Sequence, residues 1–385
     1  MYRGHTAGVV IPAYNEEQFV ADTIASVPEY VDRVYVIDDG SQDGTWAEIR
    51  RQADAENARR DPTAGFDEVV VPIQHTANRG VGGAIKTGYL RARDDRVDVT
   101  AVMGGDGQME PEMLGELFDP LVDGVADYTK GNRFLGRTDP GDMPTFRFIG
   151  NSILSALTKA ASGYWGSGDP QSGYTAISLR ALDETNIEDM YEFYGYCNDI
   201  LTKLNIAGMR VADVPRPITY GEEESHISYR TYIPRVSKML FRNFRKRLWT
   251  QYVLFDFHPL VASYAAGTGA LALGVLGFVW ALPGVGSATT PAFRGLLSVL
   301  VFLVGIAALV QATTLDRAVN AHLDATPQRD TERPTADRPT ERASTADTSV
   351  SENGRRETVA RIGMPGIAAA NAERTERDGE GSAGE

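Results

Sequence analysis

The chain has 385 residues, a formal net charge of −14 and a pI near 4.9. Only six of its 38 basic residues are lysine, and this acidic balance argues against general nucleic-acid binding. The length calls for one substantial core with appended segments, and a single cysteine, Cys197, excludes an internal disulfide or a thiolate metal cluster.

The opening MYRGHTAGVV lacks the basic, apolar, small-residue progression of a signal peptide. GVVIPAY (8–14) predicts a buried strand, and EEQFVADTIASV (16–27) then places apolar residues at helical spacing. VDRVYVIDDG (31–40) predicts a second strand running into a turn, followed by a helix in TWAEIRRQADAENARR. DEVVVPIQ supplies a third strand, GGAIKTGYLRARDD a third helix and VDVTAVMGG a fourth strand. This alternation predicts an α/β fold, a mostly parallel sheet with helices on both faces. Ligands of such sheets sit beyond the carboxyl ends of the strands. There the sequence places Pro12, Ala13, Tyr14, Asn15 and Glu16, then Asp38 and Asp39, then Asn78, Arg79 and Gly80, and finally Asp106.

Further along, Arg230, Arg235, Lys238, Arg242, Arg245, Lys246 and Arg247 face a single acid, Asp256, across residues 230–256. Ile233, Val236, Leu240, Phe244, Leu248 and Tyr252 recur every three or four residues, as in an amphipathic helix. A basic face beside an apolar face, next to a membrane span, predicts an interfacial helix on anionic lipid; a basic helix packed on the sheet domain is the alternative. The uncharged stretches 259–282 and 295–315 are each long enough to cross a hydrocarbon core of about 30 Å. Their connection, PGVGSATTPAFR, has only Arg294 as a charge, so the positive-inside rule predicts that both chain ends are cytoplasmic. From Asp316 onward there is no aromatic residue, and RDTERPTADRPTERASTADTS is charge, threonine and proline. Such composition predicts disorder over 317–385. The expected division is therefore a catalytic domain over 1–229, a basic juxtamembrane segment over 230–258, a two-helix transmembrane hairpin over 259–316 and a disordered charged tail over 317–385.

Asp38 and Asp39 in VIDDGSQDGT (36–45) are placed to accept hydrogen bonds from a nucleotide base or ribose, whereas Asp43 is better placed as a helix cap. NRGVGGAIKTG (78–88) is a glycine-rich helix start whose amides, with Arg79, suit a diphosphate. In AVMGGDGQMEP (101–111), Asp106 with Gln108 offers oxygen ligands to Mg2+ or Mn2+, cations that usually complete their shell with water and substrate phosphates. Gly104, Gly105 and Gly107 would let a bulky ligand approach the backbone. Asp199 in CNDIL and Asp169 are further carboxylates that could serve as a general base.

PAYNEE, VIDDGSQDGT, NRGVGGA, GGDGQMEP, KGNRF, GDPQSGYTA and YGEEESHI together resemble, in order and spacing, the family 2 glycosyltransferases of GT-A fold. Within that family the chain most resembles the dolichyl- or polyprenyl-phosphate hexose synthases. The resemblance covers residues 8 to about 228, and the two spans match its membrane-anchored members. It implies an inverting, metal-dependent transfer of a hexose from a GDP- or UDP-linked sugar, such as GDP-mannose or UDP-glucose, to dolichyl or polyprenyl phosphate, feeding protein N-glycosylation or surface glycan assembly. It also implies that Pro12, Tyr14, Glu16 and Asp38 hold the nucleoside, that Asp106 and Gln108 ligate the metal, and that Arg133 faces the phosphates. Asp169, Ser172 and Gly173 match a loop near sugar and acceptor, and Ser225 a loop closing over the donor. Gly104 replaces the first aspartate of the family's paired-aspartate motif, and His226 replaces the lysine that usually follows the closing-loop serine. Two further readings remain open at this stage: transfer to a hydroxyl of a lipid-linked glycan, and an inactive nucleotide-sugar-binding membrane scaffold. The sequence specifies no oligomeric state.

Overall fold

The computed structural model describes residues 1–135, 145–216, 229–254, 257–282 and 289–325. The first half alternates as the periodicity predicts: β1 (Ala7–Ala13), α1 (Val20–Ser26), β2 (Arg33–Asp38), α2 (Thr45–Arg59), β3 (Val70–Gln74), α3 (Val81–Asp94) and β4 (Val99–Val102). These four strands pair in parallel in the order β3-β2-β1-β4. Period-two alternation sorts their side chains between two cores. Val9, Ile11, Val34 and Val36 enter one core, whereas Val10, Tyr35 and Ile37 enter the other. Because both faces are covered, the strands read as continuous apolar runs.

The second half adds α4 (Leu114–Val122), β5 (Tyr128–Asn132), α5 (Thr145–Ser162), β6 (Thr175–Ser178), α6 (Leu179–Glu184), α7 (Tyr196–Ile206) and β7 (Val211–Pro215). The sheet continues from β4 through β6, β5 and β7, and β6 runs antiparallel to both of its neighbours. Then come three long helices, α8 (Tyr229–Tyr252), α9 (Pro259–Trp280) and α10 (Pro291–Asn320). α9 and the helical segment that begins at Pro291 are long and apolar enough to cross a membrane.

Two expectations need correction. α8 is amphipathic, but Val236 and Leu240 are buried with Ala161 of α5, and Leu248 and Tyr252 with Leu260, Tyr264 and Ala312 of α9 and α10. Most of the periodic apolar face is thus spent on protein, although Ile233 at its start is 56% exposed, and Phe241 and Trp249, 62% and 61% exposed, lie outside it. The predicted tail also begins too early. α10 continues to Asn320, and Asp324–Ala325 forms β8, a parallel edge strand on β7. Asp316 and Asn320 are buried, since Arg247 of α8 pairs Asp316 with both carboxylate oxygens at 2.9 and 2.8 Å. The remainder of the predicted tail, 326–385, lies outside the described residues.

Candidate active site

The carboxyl ends of β1, β2 and β4 remain stitched beyond the strands: Asp39 N donates to Ala13 O at 2.9 Å and Gly105 N to Pro12 O at 3.1 Å. Asn15, in left-handed backbone at φ 59°, accepts from Gln42 N at 2.9 Å, tying the first two strand ends together. That conformation is one asparagine tolerates. Beyond these ends lies a cleft of about 610 Å³ lined by Pro12, Tyr14, Glu16, Asp39, Gly80 and Asp106 among others. With Ala13, Asn78, Gly104, Gly105 and Gly173, which line it too, most of the strand-end residues singled out in the sequence therefore converge on one site.

Asp38 does not join them. It is fully buried, accepting from Ser41 N at 3.1 Å and Gln74 Nε2 at 2.9 Å, so it shapes the turn that presents Asp39. Asp39 in turn is held by His75 Nδ1 at 2.7 Å, while His75 Nε2 lies 2.9 Å from Thr87 Oγ1. Sequence reasoning passed over His75, because its partner lies 36 residues away. Asp43 falls one residue before the α2 cap position, which is Gly44, and accepts from Thr45 N at 3.0 Å. Although desolvation opposes it, hydrogen bonds from the Thr45 hydroxyl and backbone hold its carboxyl below the usual range.

The glycine-rich start of α3 also meets another segment of the chain. A Cβ at Gly80 would stand 2.6 Å from Glu192 O, and Gly83 N donates to that same carbonyl at 2.9 Å. The glycines admit the backbone of Tyr191–Phe193 on one side, while Gly80 and Val81 line the cleft on the other. Arg79 is drawn to that segment as well: its guanidinium pairs with Glu192 at 2.7 Å, and Lys86 joins the same carboxylate. The segment after Glu192 carries Phe193 and Tyr194, 48% and 60% exposed, over the cleft. The aromatic run YEFYGY was the available signal for it.

Asp106 sits in the cleft with its Oδ1 accepting from Gln108 N at 3.1 Å. A Cβ on Gly104 would stand 2.9 Å from that oxygen, so the missing first aspartate leaves room into which the remaining carboxylate folds. Gln108 is not among the cleft-lining residues, and its carbonyl accepts from Arg216 at 3.0 Å. Among the described residues no group of three or more His, Cys, Asp or Glu side chains converges as a metal site.

Arg133 and Asp169 meet each other, with Nε at 2.7 Å from Oδ2 and an Nη at 3.2 Å from Oδ1. Two residues on, the Gln171 amide and the Ser172 hydroxyl are buried without a hydrogen-bond partner among the described residues, and Gln171 and Gly173 line the cleft. Buried polar groups of this kind normally find a partner. Asp199 is neither at the cleft nor on a helix surface. It is fully buried, accepting from Asn243 Nδ2 at 2.7 Å and Tyr191 N at 2.9 Å, so it anchors α8 and the 191–195 segment to α7. Ser225 and His226 lie outside the described residues.

A mostly parallel α/β sheet with acidic, aromatic and glycine-rich segments gathered at one rim defines a nucleotide-binding type of domain. Residues 8–185 match the family described as Glycosyl transferase family 2, and the chain belongs to that family. It is 30% identical over 228 residues to the undecaprenyl-phosphate mannosyltransferase of Micrococcus luteus, covering 56% of this chain and 83% of the relative. The UDP-N-acetylglucosamine–dolichyl-phosphate N-acetylglucosaminyltransferase of Methanococcus voltae is 27% identical, with 56% and 86% covered. The polyprenol monophosphomannose synthase of Mycolicibacterium smegmatis is 28% identical, with 57% and 79% covered.

Proposed function

We propose that this glycosyltransferase is anchored in a membrane by α9 and α10 and moves a hexose from a GDP- or UDP-linked sugar to dolichyl or polyprenyl phosphate. The observation that carries this reading is the adjacency of two concavities across one short segment. Phe193, Tyr194 and Gly195 line the cleft that holds Asp106, whereas Tyr191 lines a groove of about 850 Å³ on α8. Arg235, Lys238, Arg242, Arg245 and Lys246 line that groove with Phe241 and Trp249. Cations interleaved with exposed aromatics, beside membrane-length helices, suit an anionic lipid surface and a phosphate headgroup. The three relatives described above are all named for polyprenyl- or dolichyl-phosphate acceptors.

In this reading Pro12, Tyr14 and Asp39 receive the nucleoside and orient the donor over the β1 and β4 ends. Asp106 would be the protein carboxylate for Mg2+ or Mn2+, a hard cation that also takes diphosphate oxygens and water and that would offset the leaving group's charge. Arg133, fixed by Asp169, presents positive charge on the acceptor side. A phosphate oxygen of the acceptor attacks the anomeric carbon, the bond to the diphosphate oxygen breaks, and its electron pair leaves with the nucleoside diphosphate, inverting that carbon. A lipid monophosphate is anionic at neutral pH, so no side chain has to remove a proton. The positions of the two candidate bases favour this acceptor over a hydroxyl: Asp199 is sealed beneath the 191–195 segment, and Asp169 is committed to Arg133. The basic residues of α8 support a cytoplasmic side for the domain.

The test is a transfer assay on membranes carrying the protein, a short polyprenyl phosphate and labelled GDP-mannose, UDP-glucose or UDP-N-acetylglucosamine, with and without Mn2+. Labelled lipid from one donor, dependent on the cation and lost in Asp106→Ala, is the expected result. Folded protein that labels no lipid with any donor would shift the assignment to a hydroxyl acceptor or to a nucleotide-sugar-binding scaffold.

A further inference from the structure

The loop from α5 to β6, which carries Asp169, is held at successive residues. Tyr164 Oη donates to Met209 O at 2.6 Å, Gly168 N to Asp213 Oδ2 at 2.6 Å, and Lys130 Nζ to Asp169 O at 3.0 Å. Those partners all belong to the sheet domain. The two anchors between them come from the end of the second apolar helix and the chain just beyond it: Trp165 Nε1 donates to Asp316 Oδ2 at 3.3 Å, and Gly166 N to Asp324 Oδ2 at 2.9 Å.

Both aspartates are themselves fixed. Asp316 and Arg247 are fully buried and paired, and the rest of the guanidinium donates to Ala160 O at 2.9 Å and Ala161 O at 3.0 Å, next to the start of the loop. Asp316 also accepts from Tyr264 at 3.3 Å and Asn320 at 2.9 Å. Asp324 opens β8, whose pairing with Val211 adds it to the strand that carries Asp213. Anchoring a hairpin to a domain needs only apolar packing, and a buried ion pair is a poor source of net stability because desolvation opposes it. Charge-assisted hydrogen bonds supply direction instead. Here that direction fixes Trp165 and Gly166, three residues before the carboxylate that holds Arg133 at 2.7 Å.

We infer that Asp316 and Asp324 are positioning residues for the transfer reaction. Acting through Trp165 and Gly166, they set the Asp169 loop against Arg133, so that the acceptor side of the site is registered to the helix pair by the chain that leaves it. This rests on the lipid-phosphate reading above, since only an acceptor presented from a bilayer needs the site held at a fixed height over the membrane helices. The gain is the geometric one of holding reacting groups in register.

The experiment uses full-length protein in phospholipid vesicles, with Asp324→Ala and Asp324→Asn compared in steady-state transfer to a short polyprenyl phosphate and in hydrogen exchange. Asp324→Ala is expected to lower kcat/KM for the lipid phosphate about tenfold, the loss of one hydrogen bond to a charged acceptor. KM for the nucleotide sugar should stay within about twofold. Asp324→Asn, whose amide oxygen still accepts from Gly166 N–H, is expected to recover most of the activity. Amide exchange across 163–169 should quicken in the alanine variant while β1 to β4 stay protected. Equal losses toward both substrates, an unchanged kcat/KM or unchanged exchange in the loop would overturn the inference. A wild-type protein that transfers to no lipid phosphate would sink the proposed acceptor instead, and the exchange data alone would then decide whether Asp324 holds the loop.

Discussion

The carboxylate of Glu192 holds the guanidinium of Arg79 at 2.7 Å across the start of α3. Hydrogen bonds from Lys86 and then Arg79 keep that carboxyl below the usual carboxylate range despite partial burial. The contact is therefore complete above the ordinary glutamate value and is lost as pH falls through the lowered one. Arg79→Ala and Glu192→Ala should each weaken nucleoside-diphosphate binding about threefold through the loosened 191–195 segment, the scale of a partly exposed ion pair. The double variant should lose no more than Glu192→Ala alone, because that substitution already removes the Arg79 contact together with that of Lys86. Additive losses in calorimetric titrations would mean that Arg79 reaches the phosphates directly.

That pair also shows a contact that the glycines of NRGVGG could not announce. Their partner, the Tyr191–Phe193 backbone, lies more than 100 residues away, and a glycine run looks the same whether it admits a phosphate or a second chain segment. The first four strands were legible because strands covered on both faces are uninterrupted runs of valine and isoleucine. β5 was not legible, since its YTKGN buries Lys130 against Asp213 at 2.6 Å, a pairing no local pattern announces. Residues 317–325 looked like tail for a similar reason. Asn320 is buried against Asn205 and Asp324 accepts from the amide of Gly166, 115 and 158 residues distant. At the cleft, Asp39, Tyr14 and Asp106 were readable as strand-end residues, whereas His75, Glu192 and Gln171 owe their roles to partners that only the fold brings near.

Gly104 gives a direct test of the cation site. The Cβ of an aspartate introduced there would stand 2.9 Å from Asp106 Oδ1, so the Asp106 side chain must turn aside, and the two neighbouring carboxylates repel each other unless a cation lies between them. Gly104→Asp is expected to tighten Mn2+ binding in the presence of a nucleoside diphosphate by about tenfold, following the added ligand charge. Asp106→Ala should remove the Mn2+ dependence of nucleotide binding altogether. If titration shows the same Mn2+ affinity in all three proteins, Asp106 is not a ligand.

The Arg247–Asp316 pair predicts a stability pattern that separates a buried charge from its volume. Asp316→Ala strands the guanidinium among groups that exclude water, at about 3–5 kcal/mol. Replacing both residues, Arg247→Met with Asp316→Leu, should return to within about 1 kcal/mol of the native protein or exceed it. Denaturant unfolding of the detergent-solubilised proteins measures both. A double variant as unstable as the single one would show that the hydrogen bonds to Ala160 and Ala161, and not the ion pair, hold this joint.

Asp324 supplies a pH test with the opposite sign to Glu192. Burial raises its carboxyl above 3.8, outweighing the hydrogen bond from Gly166, with Asp213 adding to the rise and Lys159 and Arg317 opposing it. The folded protein therefore holds this proton more tightly than the unfolded chain. The stability it contributes is full below 3.8 and is lost as pH rises through the folded value. Asp324→Asn removes that loss, so thermal unfolding followed from about pH 4 to pH 7 should show a flatter profile and, at neutral pH, a Tm equal to or above the native one. A native protein more stable than Asp324→Asn at neutral pH would mean that the ionised carboxylate is a net stabiliser. With stability unharmed by the amide, an activity lost in Asp324→Ala and kept in Asp324→Asn has one remaining cause. The oxygen at this position is retained for the N–H of Gly166, and through it for the loop that sets Asp169 on Arg133.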